Sequence, residues 1–299
     1  MSWLFLLAIA YLLIALATLV DKFVVSKISA PPALYTLLVT TLGLVVVFLA
    51  PFGFQFIFRF NVFLLALVAG GGYTLAIYYL YTALQRGEAT RVFTAIGAVT
   101  AVVTFILSYI FLDERLTIQQ LGAFILLMLG GVFIAGTART TNAAPLGRCV
   151  ISGTWFGVSY VAAKALYELV NFITGFIWLR ALAFVVALLF LLLPRFRCDI
   201  TTHLRSSRTL KTKSHQVIII TGQIAVALGF LLVNYTISLT SASLVLAAQG
   251  IQYAFLFLLT FFLRPWLPLQ LREDMSVRKV AQKTGAVVLI AAALALLAR

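Results

Sequence analysis

The stretch 89–136 reads ATRVFTAIGAVTAVVTFILSYIFL, then DERLTIQQ, then LGAFILLMLGGVFIAG. Two apolar segments, each close to the roughly 20 residues that a helix needs to cross a bilayer, flank one short charged turn, Asp113-Glu114-Arg115. Neither segment can stand in water without a large apolar cover. The pattern is a transmembrane hairpin, and the rest of the chain repeats it.

Of 299 residues, 63% are hydrophobic and 10% are charged, well below the ~25% charged residues of an ordinary soluble domain. The mean hydropathy of +1.12 points the same way. The first residues, MSWLFLLAIAYLLIALATLV, lack a basic leader and run into further spans, so they read as a first helix. Two cysteines, Cys149 and Cys198, are too few for a disulfide framework. The net charge of +14 lies in short turns between apolar runs, where basic residues orient helices, so no nucleic-acid partner is expected.

Charge-free segments at 3–20, 33–52, 60–84, 92–112 and 116–138 make five spans in the first half. A polar linker at 139–148 follows. Residues 149–166, 172–193, two spans within 216–262 divided at 238–243, and 284–298 make five more. The fold class expected is therefore all-α integral membrane: ten transmembrane helices as two inverted five-helix repeats, 1–138 and 149–299, around a central cavity. The halves echo one another weakly, as in Ala95-Ile96-Gly97 against Ala248-Gln249-Gly250. An odd number of spans per half makes the second copy enter the bilayer from the opposite side, a pattern of secondary transporters. Lys and Arg crowd the odd-numbered turns, above all 195–214. The positive-inside rule then places those turns in the cytoplasm and both termini outside.

Polar groups inside a span are costly and usually face a cavity or the bundle interior. Stripes at helical spacing occur on span 4 (Thr90, Thr94, Gly97, Ala101, Thr104, Ser108), span 3 (Thr74, Tyr78, Tyr81, Gln85), span 8 (Gln223, Ala227, Phe230, Asn234, Ser238), span 1 (Tyr11, Ala15, Thr18, Lys22) and span 6 (Gly153, Gly157, Tyr160, Lys164, with Trp155 beside them). Small and hydroxyl residues also serve close helix packing, so a single stripe has two readings. As a set, spans 1, 3, 4, 6, 8 and 9 carry the cavity face, and the more apolar spans 2, 5 and 10 stand outside. Gln249, Gln252 and Tyr253 on span 9 are the sharpest signals, because two amides one turn apart need partners. The expected substrate-binding residues are Tyr78, Thr94, Trp155, Tyr160, Lys164, Gln249, Gln252 and Tyr253, with Asp21 and Arg91 as charge or coupling positions. Lys164 or Arg91 would attract an anionic group. Arg180 lies deep in span 7 and is read as a partner of Glu168 or of a headgroup.

The turn Asp113-Glu114-Arg115-Leu116-Thr117-Ile118-Gln119-Gln120-Leu121-Gly122, running into Gly130-Gly131-Val132, resembles the G-E-R-L-T-x-x-Q-x-x-G…G-V signature that closes an EamA repeat of the drug/metabolite transporter superfamily. The second half departs from it, with Arg264-Pro265-Trp266 where the acidic turn is expected. The resemblance implies two inverted repeats with a cavity lined by helices 1, 3, 4, 6, 8 and 9. It also implies cytoplasmic termini, against the charge distribution. Span 1 carries no mid-span carboxylate of the kind that couples protons in small multidrug members; Thr18 stands near that level, with Asp21 a turn beyond.

No enzyme motif and no metal-ligand spacing is present. His203 and His215 both lie by the basic loop, so no cofactor and no metal is expected. The function expected is secondary transport of small organic solutes by alternating access. A flippase for an amphiphilic substrate and a non-transporting scaffold or sensor are the alternatives. The partners expected are a small-molecule substrate and the lipid bilayer, in a monomer or homodimer. The expected location is the plasma (inner) membrane of a prokaryote.

Overall fold

The computed structural model describes residues 2–27, 31–85, 89–135, 146–194, 196–197, 213–262 and 277–297. The basic loop 198–212, the segment 263–276 with Arg264-Pro265-Trp266, and most of the linker lie outside these residues. The side chains of Asp21, Arg91 and His215 also lie outside the description.

Among the described residues nine helices are long and apolar enough to cross a membrane, and a shorter apolar one, α5, joins them: α1 (Ser2–Lys27), α2 (Pro32–Phe52), α3 (Phe60–Leu84), α4 (Ala89–Phe111), α5 (Ile118–Ala135), α6 (Leu146–Leu169), α7 (Phe172–Leu192), α8 (Lys213–Leu239), α9 (Ala242–Phe262) and α10 (Val277–Leu297). The described residues contain helices and no strands. Helices are the expected solution in lipid, because each backbone donor finds its acceptor within the segment. Two segments are irregular. The second half of α2, Leu44–Phe52, winds as a 3-10 helix and contains Pro51, which cannot donate to the ladder. α9 breaks at Ala248-Gln249 into Ala242–Ala247 and Gly250–Phe262.

Helix packing is related by exchange of the halves. α3 packs along α6 as α1 packs along α8, α4 meets α6 as α1 meets α9, and α5 pairs with its counterpart α10. Glycines set the closest approaches, because the chains in a bilayer gain by close contact rather than by hydrophobic exclusion. A Cβ at Gly70 on α3 would lie 2.5 Å from the Leu179 carbonyl oxygen on α7. One at Gly153 on α6 would lie 2.6 Å from the Val99 side chain on α4, and one at Gly229 on α8 would lie 2.6 Å from Ile14 on α1. Hydroxyls join the same interfaces: Ser152 and Ser159 on α6 donate to the carbonyls of Ala76 (2.8 Å) and Ala69 (2.7 Å) on α3.

The interior share follows position. For α9, 72% of the apolar window is buried, whereas α10 buries 22% and α2 28%, so α9 is central and the other two face outward. α7 buries 44%, more than the 39% of α1, α4 or α8. It belongs to the inner set, which the apolar sequence of 172–193 does not advertise.

Candidate functional site

The site grows out of the break in α9. Gln249 N–H donates to the Leu246 carbonyl (3.1 Å) and Ile251 N–H to the Ala248 carbonyl (2.9 Å), so the ladder tightens to three-residue steps. In a regular helix the Val245 carbonyl would accept from Gln249. Here it accepts from the Tyr11 hydroxyl of α1 at 2.6 Å. An unsatisfied carbonyl inside a bilayer protein is costly, and Tyr11 removes that cost without restoring the helix.

Beside the break lies a small pocket between α4, α5 and α9. Thr94, Gly97 and Ala98 form one wall, Leu127, Met128 and Gly131 a second, and Gln249, Gly250 and Tyr253 a third. Gly97 lies eight residues into α4 and Gln249 seven into α9, about 12 Å and about 10 Å along their helices. Gly97 is required by its neighbours. A Cβ there would lie 2.5 Å from the Tyr253 hydroxyl and 2.9 Å from Gln249 Oε1. The Tyr253 hydroxyl donates to the Phe93 carbonyl at 2.8 Å, tying α9 to α4 beside the pocket.

A second cluster surrounds Arg180, the ninth residue of α7 and about 12 Å from its start. Arg180 is 5% exposed. Its guanidinium carbon lies 4.1 Å from the Phe230 ring centroid, 4.8 Å from Tyr73 and 5.2 Å from Phe176. A Cβ at Gly43 on α2 would sit 3.3 Å from Nη1, so that glycine makes room for the cation. Among the described residues no carboxylate pairs with Arg180. Asp113 bonds Arg115, Glu114 holds the start of α9, and Glu168 pairs with Lys164. Each ring offers about 0.5–2 kcal/mol to a desolvated cation, while removing the charge from water costs several kcal/mol. The rings hold the guanidinium without neutralising it. Close by, Tyr167 donates to Asn234 Oδ1 (2.9 Å), and Asn234 donates to the Phe230 carbonyl (2.9 Å), so these two side chains are engaged with each other and with the backbone of α8.

The residues expected from sequence fall into separate places. Thr94, Gln249 and Tyr253 meet at the pocket. Tyr160 stands half-buried between Phe156 (6.2 Å) and Phe230 (6.0 Å), which links it to the Arg180 cluster. Lys164 lies near the end of α6 with its ammonium 3.6 Å from Glu168, an i,i+4 pair. Gln252 is 2% exposed and donates to Thr18 Oγ1 at 3.1 Å, an α9–α1 tie that turns it away from the pocket wall. Tyr78 packs with Phe190 (5.5 Å) and Phe196 (5.4 Å) at the end of α7, apart from the pocket. Trp155 is half-buried on α6, its carbonyl against Gly72 of α3. Glu168, one of the partners expected for Arg180, pairs with Lys164 instead. Tyr11, Tyr73, Phe230 and Arg180 were not singled out as binding residues. Their signals were a tyrosine on the span 1 stripe and one charge in an apolar run.

The charged turn has a defined role. Glu114 accepts from Ser241 Oγ (2.9 Å), Ser243 Oγ (3.4 Å) and the Ala242 N–H (3.3 Å). A carboxylate at a helix N-terminus satisfies orphan donors and meets the positive end of the dipole. Asp113 takes a positive φ of 50° and its carboxylate accepts from Arg115 at 3.0 Å; this bond holds the Arg115 ionisation above its ordinary range, at an exposed and weak pair.

The described residues form an all-helical, multi-span membrane protein. Residues 1–137 match the EamA-like transporter family, a family of the drug/metabolite transporter superfamily. The family's members are generally transporters rather than enzymes. A solved structure described as "Crystal structure of protein" superposes with a TM-score of 0.68 at 15% identity, covering 97% of this chain and 97% of that one. At that identity the likeness shows the fold alone. No curated protein matches the sequence.

Proposed function

We propose that this chain carries small organic solutes across the membrane by alternating access, its two halves, 1–138 and 149–299, rocking about the midplane pocket. The observation that carries this reading is the break of α9 at Ala248-Gln249. Discontinuous helices at the midplane are where transporters gather polar groups for a substrate, because a broken ladder exposes backbone and side-chain dipoles without facing lipid. Gln249 supplies the amide and Tyr253 and Thr94 the flanking polar walls of that pocket. The exchange-related packing of α3 on α6 and α1 on α8 supports the rocking, since equivalent interfaces can trade places between two states.

The test is solute uptake by proteoliposomes containing the purified chain, screened over classes of metabolite. Gln249→Leu is expected to insert and fold while lowering flux several-fold. Wild-type flux in that variant rejects the pocket as the binding site. Absence of flux for every class rejects transport in favour of a scaffold, and movement of labelled lipid alone favours a flippase.

A further inference from the structure

From the aromatic enclosure of Arg180 we infer that the solute is a small monoanion with a flat apolar body, and that Arg180 is its charge-binding residue. This inference rests on the transport reading and adds a second contact for the solute, at the Arg180 cluster and apart from the Gln249 pocket. A guanidinium keeps its proton at any physiological pH, so burial cannot silence this charge by neutralising it. The three carboxylates among the described side chains are engaged elsewhere, with Arg115, with Ser241 and Ser243, and with Lys164. The position in the middle of α7 keeps lipid headgroups out of reach, because the interface begins about 12 Å away. What surrounds the cation is ring surface from three helices: Tyr73 on α3, Phe176 on α7 and Phe230 on α8. Tyr160 continues that surface by packing on Phe230 at 6.0 Å.

Such walls select the ligand. Rings accept a flat hydrocarbon body by stacking, and the guanidinium offers paired N–H donors that match a carboxylate. One guanidinium matches one carboxylate, so a monoanion suits it. Gly43 keeps α2 off the guanidinium, so a side chain placed there competes for the same space. Lys164, at the end of α6 that joins α7, stands nearer the face from which α7 starts and is paired with the exposed Glu168. Its ammonium attracts an anion at the approach, and Arg180 holds it further in.

The probe is benzoate, compared with benzyl alcohol, which has the same ring and no charge. Binding is read as the thermal shift of the purified full-length chain in detergent, titrated to saturation. Benzoate is expected to raise the Tm of the wild type and benzyl alcohol to leave it unchanged. Arg180→Gln is expected to abolish the benzoate shift. Phe230→Leu keeps the guanidinium and removes one wall, so it is expected to weaken benzoate about tenfold; it serves if Arg180→Gln fails to fold. No benzoate shift in the wild type, an equal shift with benzyl alcohol, or wild-type affinity in either variant overturns the assignment. The measurement needs no flux. Benzoate binding without any transport therefore overturns the transport reading alone, and transport of neutral solutes without benzoate binding overturns the anion site alone.

Discussion

The Tyr11 hydroxyl on α1 donates to the Val245 carbonyl on α9 across 2.6 Å, in the place of the helical bond that the break at Ala248-Gln249 removes. The bond ties the first helix of one half to the discontinuous helix of the other. Tyr11→Phe leaves that carbonyl without its partner and is expected to lower stability by about 1 kcal/mol, the usual scale of an interhelical hydrogen bond in a membrane. The check is the thermal midpoint of the purified variant. A midpoint equal to that of the wild type shows that α9 breaks without help from Tyr11.

Glu114 binds the first turn of α9 through Ser241, Ser243 and the Ala242 N–H. The turn that closes the first half therefore also caps a helix of the second. Glu114→Ala is expected to destabilise the folded protein by about 1–2 kcal/mol, and Glu114→Gln by less, because an amide still accepts but carries no charge for the dipole. The contrast between the two variants in a thermal or urea titration separates the hydrogen bonds from the charge. Equal loss in both assigns the effect to charge.

Gly97 stands in the pocket wall opposite Tyr253 and Gln249. A methyl there meets the Tyr253 hydroxyl at 2.5 Å and Gln249 Oε1 at 2.9 Å. Gly97→Ala is expected to displace one or both side chains and lower solute uptake about tenfold, while the helix itself tolerates or welcomes alanine. Retained uptake with a normal folded yield shows that the solute does not use this wall.

Gln249 and Gln252 are one turn apart and predicted alike from sequence, yet only Gln249 lines the pocket. Gln252 bonds Thr18 on α1. Gln249→Leu is expected to reduce uptake with stability near the wild type. Gln252→Leu is expected to cost about 1 kcal/mol of stability, by leaving the Thr18 tie unmade. Uptake and thermal midpoint measured on both variants give opposite patterns, and matching patterns dissolve the distinction.

At Gly70 the Cβ of an alanine would lie 2.5 Å from the Leu179 carbonyl oxygen and 2.6 Å from the Ala183 nitrogen. Backbone cannot swing aside as a side chain does. Gly70→Ala is therefore expected to push α3 and α7 apart and cost about 1–3 kcal/mol. Because Arg180 lies between Leu179 and Ala183 on the same stretch of α7, the same variant is expected to weaken benzoate binding in the thermal-shift titration.

Composition and charge spacing alone pointed to a chain of many membrane-spanning segments, because only a segment free of charge for about 20 residues can lie in hydrocarbon; among the described residues nine helices meet that length and α5 is shorter. The motif at 113–122 pointed to the EamA family, and the residues 1–137 that match it include that motif. The stripe on span 4 brought Thr94 and Gly97 to notice, and the amides on span 9 brought Gln249. Periodicity reaches no further than the face of a single helix. Whether Gln249 or Gln252 meets the pocket depends on a local loss of helical register at Ala248, and no proline marks that break. Arg180 reads in sequence as one misplaced charge. Its meaning comes from Tyr73 and Phe230, rings from two other helices far away in the chain, and from Gly43 leaving space above it. Tertiary packing alone decided these points, because burial and partnership are properties of several helices together, and a linear pattern carries only the requirements of each one.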